Sequence, residues 1–258
     1  MQRGFTLVEL SIVLVIIGLL TGGILAGQSL VRASEMRSVS ADIARYRTAA
    51  YAFRDKYFHI PGDMPNATQF WGTLGGTGSD ATCQNTDATG MPTCNGDGGG
   101  TLVSTSGVSS AEVFRFWQHL ANAGLVEGTY TGKVAAASPF WRPGTNVPAG
   151  KRSNTYFRAN NQLGYWAGNA FGFAGDYGNA QLQFVNNAGH QPEYSWNVDT
   201  KLDDGQPHKG IIYADKGNGT TSFCTTVAGV APPGDATAAY NLASTSNDCF
   251  VLYLLRLF

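Results

Sequence analysis

The sequence predicts an α+β fold built on one long N-terminal helix, and three patterns lead there. The 22 residues from Phe5 to Ala26 are almost wholly apolar, and about 20 such residues carry a helix across a bilayer. From Ser29 to Ile60 apolar residues return every three or four positions, which marks one face of a helix. Beyond Pro61 the pattern changes to short apolar runs bounded by Gly, Asn and Asp, the signature of strands, with short helical segments among them. These changes divide the chain into a polar start (1–4), an apolar half-helix (5–28), an amphipathic half-helix (29–60) and a head (61–258).

The apolar run carries one acid, Glu9, and no cation. A carboxylate inside an apolar span is costly and calls for a partner. Thr21-Gly22-Gly23 and Gly27 follow. In lipid the helix should persist through them, because unpaired backbone groups are worse there. The glycines either let the helix bend or let neighbouring helices pack closely.

In the amphipathic half, Met36, Val39, Ile43, Tyr46, Ala50, Phe53, Tyr57 and Ile60 form the apolar stripe. Arg37, Asp42, Arg45, Arg47, Arg54 and Lys56 occupy the other face. Pro61-Gly62-Asp63-Met64-Pro65 stops the helix. A helix from Phe5 to His59 would be roughly 80 Å long. Its first half needs lipid or other subunits, and its second half needs a head to cover the stripe.

Residues 66–108 read as irregular, with Phe70-Trp71 as an anchor to the core. Ser109-Ser110-Ala111-Glu112 reads as a capping box opening a helix whose Val113, Phe116, Trp117 and Leu120 share a face; Gly124 ends it. The chain then wraps the surface to Arg158. Strands are expected at Tyr156–Arg158, Gly164–Ala167, Ala180–Val185, Ile211–Ala214 and Phe250–Leu255, the last buried and central. Pro192 opens a helix through Leu202 with Tyr194, Val198 and Leu202 inward.

The four cysteines, Cys83, Cys94, Cys224 and Cys249, have no C-x-x-C spacing and no nearby His, which argues against zinc. Pairing Cys83 with Cys94 and Cys224 with Cys249 closes the shortest loops and implies an oxidising compartment. Buried free thiols are the alternative. Asn95 and Asp97 lie in a Gly-rich stretch faintly like a calcium loop, without its alternating acids or terminal Glu. Asp199, Asp203 and Asp204 cluster in sequence and would gather on one side of the end of the second head helix. Calcium is the cation either group would take, though Gly-rich and acidic turns are the simpler reading, and no cofactor is expected.

The net charge of −1 gives no sign of bulk nucleic-acid binding, and no nucleic acid is expected as a partner. No G-x-S-x-G, H-E-x-x-H, P-loop or G-x-G-x-x-G stands in the context it needs, and the four histidines share no motif. An enzyme is not expected.

Gly4, Phe5 and Glu9, with Gly18, resemble the N-terminus of type IV pilins and pseudopilins. In that family a Gly precedes the cleaved bond, usually Phe follows it, and Glu lies four residues further on. The resemblance implies a pilin-like head with an antiparallel sheet packed on the helix. It also implies that a prepilin peptidase cuts Gly4–Phe5 and methylates the Phe5 amine, and that Glu9 pairs with the Phe5 amine of a neighbouring subunit. The partners would be further copies or other pilins, the inner membrane and its assembly platform. The localisation would be the inner membrane with the head in the periplasm, then a surface pilus or periplasmic pseudopilus. A pilus subunit, a type II secretion pseudopilin and a membrane-tethered binding module all fit this sequence. A Sec signal peptide accommodates Arg3 and a cut near Gly27 but not Glu9; a plain anchor accommodates the length but not Gly4, Phe5 and Glu9 together.

The processed protein is expected to begin at N-methylated Phe5, and Gly4→Leu is expected to leave the precursor uncut. N-terminal sequencing checks both, and a mature start near Gly27 would identify a Sec signal peptide instead.

Overall fold

The computed structural model describes residues 6–74, 90–102, 112–133, 141–152, 155–161, 169–175, 189–216, 224–227, 237–247 and 249–255. In chain order the elements are α1 (Leu7–Tyr57), α2 (Ala67–Trp71), α3 (Glu112–Asn122), β1 (Thr155–Asn161), β2 (Asn169–Gly175), α4 (Pro192–Leu202), β3 (Ile212–Lys216) and β4 (Cys249–Leu255). The chain divides into two compact units, Met1–Ser38 and Val39–Phe258.

In the first unit α1 runs unbroken through Gly18, Gly22, Gly23 and Gly27. Thr6 to Arg32 are all exposed, although the most apolar 18-residue stretch of α1 reaches a mean hydropathy of 2.5. Thr21 and Ser29 turn their hydroxyls onto carbonyls of the preceding turn, so neither leaves a polar group unmatched on that surface.

In the second unit the stripe predicted for α1 is the core. Val39, Ile43, Tyr46, Ala50 and Phe53 are buried there, and Ile60 joins them beyond the helix end. Tyr46 places its ring edge-on to Trp117 of α3 and Phe157 of β1, each 4.9 Å away, so one side chain fastens three elements. α1 ends at Phe58, which takes a left-handed conformation (φ 58°) and donates its N–H to Arg54 O at 2.7 Å. Gly62 (φ 90°) then turns the chain against α3. A Cβ on Gly62 would stand 2.3 Å from Glu112 O, so no other residue fits.

The sheet has four antiparallel strands in the order β1-β2-β4-β3, with register Phe157↔Phe173, Phe171↔Tyr253 and Ile212↔Tyr253. β4 is therefore central, as its apolar sequence predicts. The architecture is α+β and pilin-like.

Other expectations need correction. Residues 66–108 contain α2, a single turn too short to leave a periodic signal; its Trp71 is buried but its Phe70 is 55% exposed, so only the Trp anchors. The segment before β1 does more than wrap the surface: Trp141 is buried 4.4 Å from Phe114. β2 (Asn-Ala-Phe-Gly-Phe-Ala-Gly) was not anticipated, because two glycines and two alanines argue against a strand. Gly172 is there because the Phe250 ring occupies the space of a side chain, 2.2 Å from where a Cβ would lie. Ser109, Gly164–Ala167 and Ala180–Val185 lie outside the described residues.

Cys224 and Cys249 form a disulfide, buried beside Ala214 and Tyr240, with 25 residues of separation. Cys94 is also disulfide-bonded; Cys83 lies outside the described residues. Closing the 224–249 loop constrains the unfolded chain by roughly 3 kcal/mol. Cys224→Ser with Cys249→Ser is therefore expected to lower the melting temperature by several degrees, as followed by circular dichroism of the detergent-solubilised protein.

Candidate functional site

The first turn of α1 is built by two residues. Leu10 N–H donates to Thr6 O at 3.2 Å, which makes Thr6 the N-cap and Glu9 the third helical residue. Glu9 Oε2 accepts from both Thr6 N–H and Thr6 Oγ1–H, each at 2.8 Å, and Glu9 N–H donates back to Thr6 Oγ1 at 3.3 Å. This is a capping box, and it supplies polar partners to an acid whose neighbours are otherwise apolar. Sequence reasoning sought a cation for Glu9 and overlooked Thr6, although the T-x-x-E spacing was in plain view. Gly4 and Phe5 lie outside the described residues.

Two groups of acids gather in the head, each with oxygens within 4.8 Å of one another: Asp63, Asp97 and Glu112, and Asp199, Asp203 and Asp204. Either trio has the reach to hold one cation. In both, the oxygens already accept from the chain's own donors. Asp63 takes the N–H groups of Gly98 and Gly100, each at 2.7 Å, Glu112 takes Asp97 N–H at 2.9 Å, and Asp97 takes Gly99 N–H at 2.7 Å. Asn95 is not in this group; its side chain accepts from Thr68 N–H at 2.9 Å and satisfies a free donor of the first turn of α2. In the second trio Asp199 accepts from Tyr240 O–H at 2.7 Å and Gly205 N–H at 3.0 Å, Asp203 from the N–H groups of Ile211 and Ile212, and Asp204 from Gln206 N–H at 2.8 Å. No local pattern links Asp63 to Glu112, which stand 49 positions apart, and the capping-box reading of Glu112 gave no hint of the trio.

Beside the first trio, buried His119 ties the turn after α1 to the Met91–Asn95 loop and to α3. Gly62 N–H donates to Nδ1 at 2.9 Å, which places the proton on Nε2. Nε2 then donates to Thr93 Oγ1 at 3.1 Å, and Thr93 donates to Gln118 Oε1 at 2.7 Å. Protonating Nδ1 would set two donors face to face. His190 is equally buried, stacked 4.4 Å from Phe173 and 5.1 Å from Tyr194. Burial holds both histidines neutral, down to about 3, aided by the charge of Arg115 for His119 and of Arg152 for His190. Burial also raises Asp63 and Asp199 to about 7, reinforced by Glu112 and by the neighbouring Asp203 and Asp204 respectively.

Residues 1–25 match the family described as the prokaryotic N-terminal methylation motif. That motif is the signature of type IV pilins and pseudopilins, structural proteins rather than an enzyme family. No curated protein and no solved structure matches the chain.

The two pairs of titrating groups oppose each other in pH. Below about pH 6.5 the unfolded chain binds protons that folded His119 and His190 refuse, so their contribution falls with pH. From about pH 7 downward folded Asp63 and Asp199 bind protons that the unfolded chain takes up only near its ordinary carboxylate range, so theirs rises. His190→Phe keeps the stack and removes one acid-labile group. It is expected to gain about 2 kcal/mol over the unsubstituted protein between pH 7 and pH 5, as the difference between paired unfolding curves. A difference independent of pH would show that His190 takes up its proton in the folded head over the same pH range as in the unfolded chain.

Proposed function

We propose that this chain is a structural subunit of a type IV pilus, major or minor, that a prepilin peptidase cuts after residue 4 and that polymerises through α1. The observation that carries this reading is the exposed apolar surface of α1 from Leu7 to Val31, with a single carboxylate in its first turn, beneath the methylation motif. Surface of that kind needs lipid before assembly and other apolar helices afterwards. The motif and the helix fit inner-membrane anchoring; on this reading the head sits in the periplasm until extraction and then on the filament, where the Cys224–Cys249 bridge persists.

Cleavage converts the Phe5 nitrogen from an amide to an amine that stays cationic when methylated. Glu9 then has a charge complement on another copy. A buried carboxylate without one is strongly disfavoured, so register follows from pairing: a subunit is stable only where its Glu9 meets an amine. The same chemistry serves a secretion pseudopilin, which differs in where the filament ends.

Glu9→Leu is expected to be cleaved and held in the membrane normally but to be scarce in sheared surface filaments, and Glu9→Lys scarcer still because it sets two cations together. A tip-located minor subunit would show the milder defect. Mass spectrometry of the sheared fraction reads the outcome. Wild-type levels of Glu9→Leu there would remove the pairing argument. Absence of the unsubstituted chain would favour a pseudopilin or a tethered binding module.

A further inference from the structure

We infer that Thr6 is a positioning residue for assembly: its hydroxyl and amide hold one oxygen of Glu9 so that the other is presented to the incoming amine. The inference rests on the reading above that Glu9 meets the amine of another subunit.

The geometry is specific. Both Thr6 donors converge on a single oxygen, Oε2, at 2.8 Å each. Among the described residues no hydrogen bond or ion pair engages Oε1. An ionised carboxylate offers about four lone-pair sites. Thr6 fills two of them on one oxygen, leaving Oε1 as the acceptor for a cation. The return bond from Glu9 N–H to Thr6 Oγ1, 3.3 Å, orients the hydroxyl so that its hydrogen points at the carboxylate rather than at the carbonyl of another turn. Other hydroxyls of this half-helix take the second course: Ser11 donates to Val8 O at 2.8 Å and Thr21 to Ile17 O at 2.9 Å. Thr6 alone among them is turned onto an acid.

Two consequences follow for a helix in an apolar surrounding. The Glu9 side chain is held in one arrangement before a partner arrives, so less freedom is lost on pairing. The Thr6 bonds persist alongside the amine contact, so the carboxylate is satisfied at both oxygens in the filament. Without Thr6, Glu9 would depend on the amine alone.

The test compares Thr6→Val, which keeps the shape and removes the hydroxyl, with Thr6→Ser, which keeps the hydroxyl. The readout is the assembled fraction of processed subunit, so any effect on cleavage is divided out; Thr6→Ala, less bulky near the cut bond, is the second hydroxyl-free variant. Thr6→Val and Thr6→Ala are expected to lower the assembled fraction about tenfold, with unchanged abundance of processed subunit in the membrane, and Thr6→Ser to restore it. Thr6→Val at the wild-type level while Glu9→Leu fails to assemble would overturn the role of Thr6 and leave the pairing intact. Thr6→Val above the wild-type level would also overturn it, because the box would then be a competitor of the amine. Glu9→Leu at the wild-type level would remove the underlying reading itself.

Discussion

One helix serves two solvents, and the rest of the molecule follows from that constraint. α1 is 51 residues long. Residues Thr6 to Arg32 are exposed and mostly apolar, whereas the stripe from Val39 to Phe53 is enclosed by the chain's own head. An isolated helix in water has little reason to hold together, since most helical stability in proteins comes from packing an apolar face. The second half of α1 finds that packing within the chain. The first half must find it in lipid or in other molecules, so its surroundings decide where the protein is stable.

The head is arranged to keep the second half of α1 enclosed. Tyr46 and Phe53 are two of the points at which it is gripped, Tyr46 by Trp117 and Phe157, and Phe53 by Trp71 and His119. Around His119 the grip becomes polar: the Gly62 turn, Thr93 and Gln118 exchange hydrogen bonds through its ring, and Asp63 fastens the glycine-rich loop at Gly98 and Gly100. Burying so many polar groups is tolerable because they satisfy one another, and it fixes the loop where α1 ends. The titrations of buried Asp63 and Asp199 oppose those of His119 and His190 in the mildly acid range.

Much of this was legible in the sequence, for physical reasons that differ from element to element. The stripe of α1, the inward residues of α3 and α4, and the apolar run of β4 announce themselves because burial imposes a period or a run on consecutive residues. The Cys224–Cys249 bridge was readable because short loops close readily. β2 was not, because its glycines answer to the Phe250 ring, which comes 78 residues after Gly172 in sequence. The trio of Asp63, Asp97 and Glu112 and the relay through His119 were hidden for the same reason: each joins residues with no local pattern in common. Thr6 is the opposite case. Its T-x-x-E spacing is a local signal, and attention to the charge of Glu9 obscured it.

The central claim is that the apolar half of α1 is covered by other copies of itself in the assembled state. Site-specific photo-cross-linking from Val15, near the middle of that half, tests it most directly. The account predicts chain-to-chain adducts joining two α1 helices in filament-producing cells, at the expense of lipid adducts. Adducts with lipid alone, in cells that display filaments containing this chain, would contradict it.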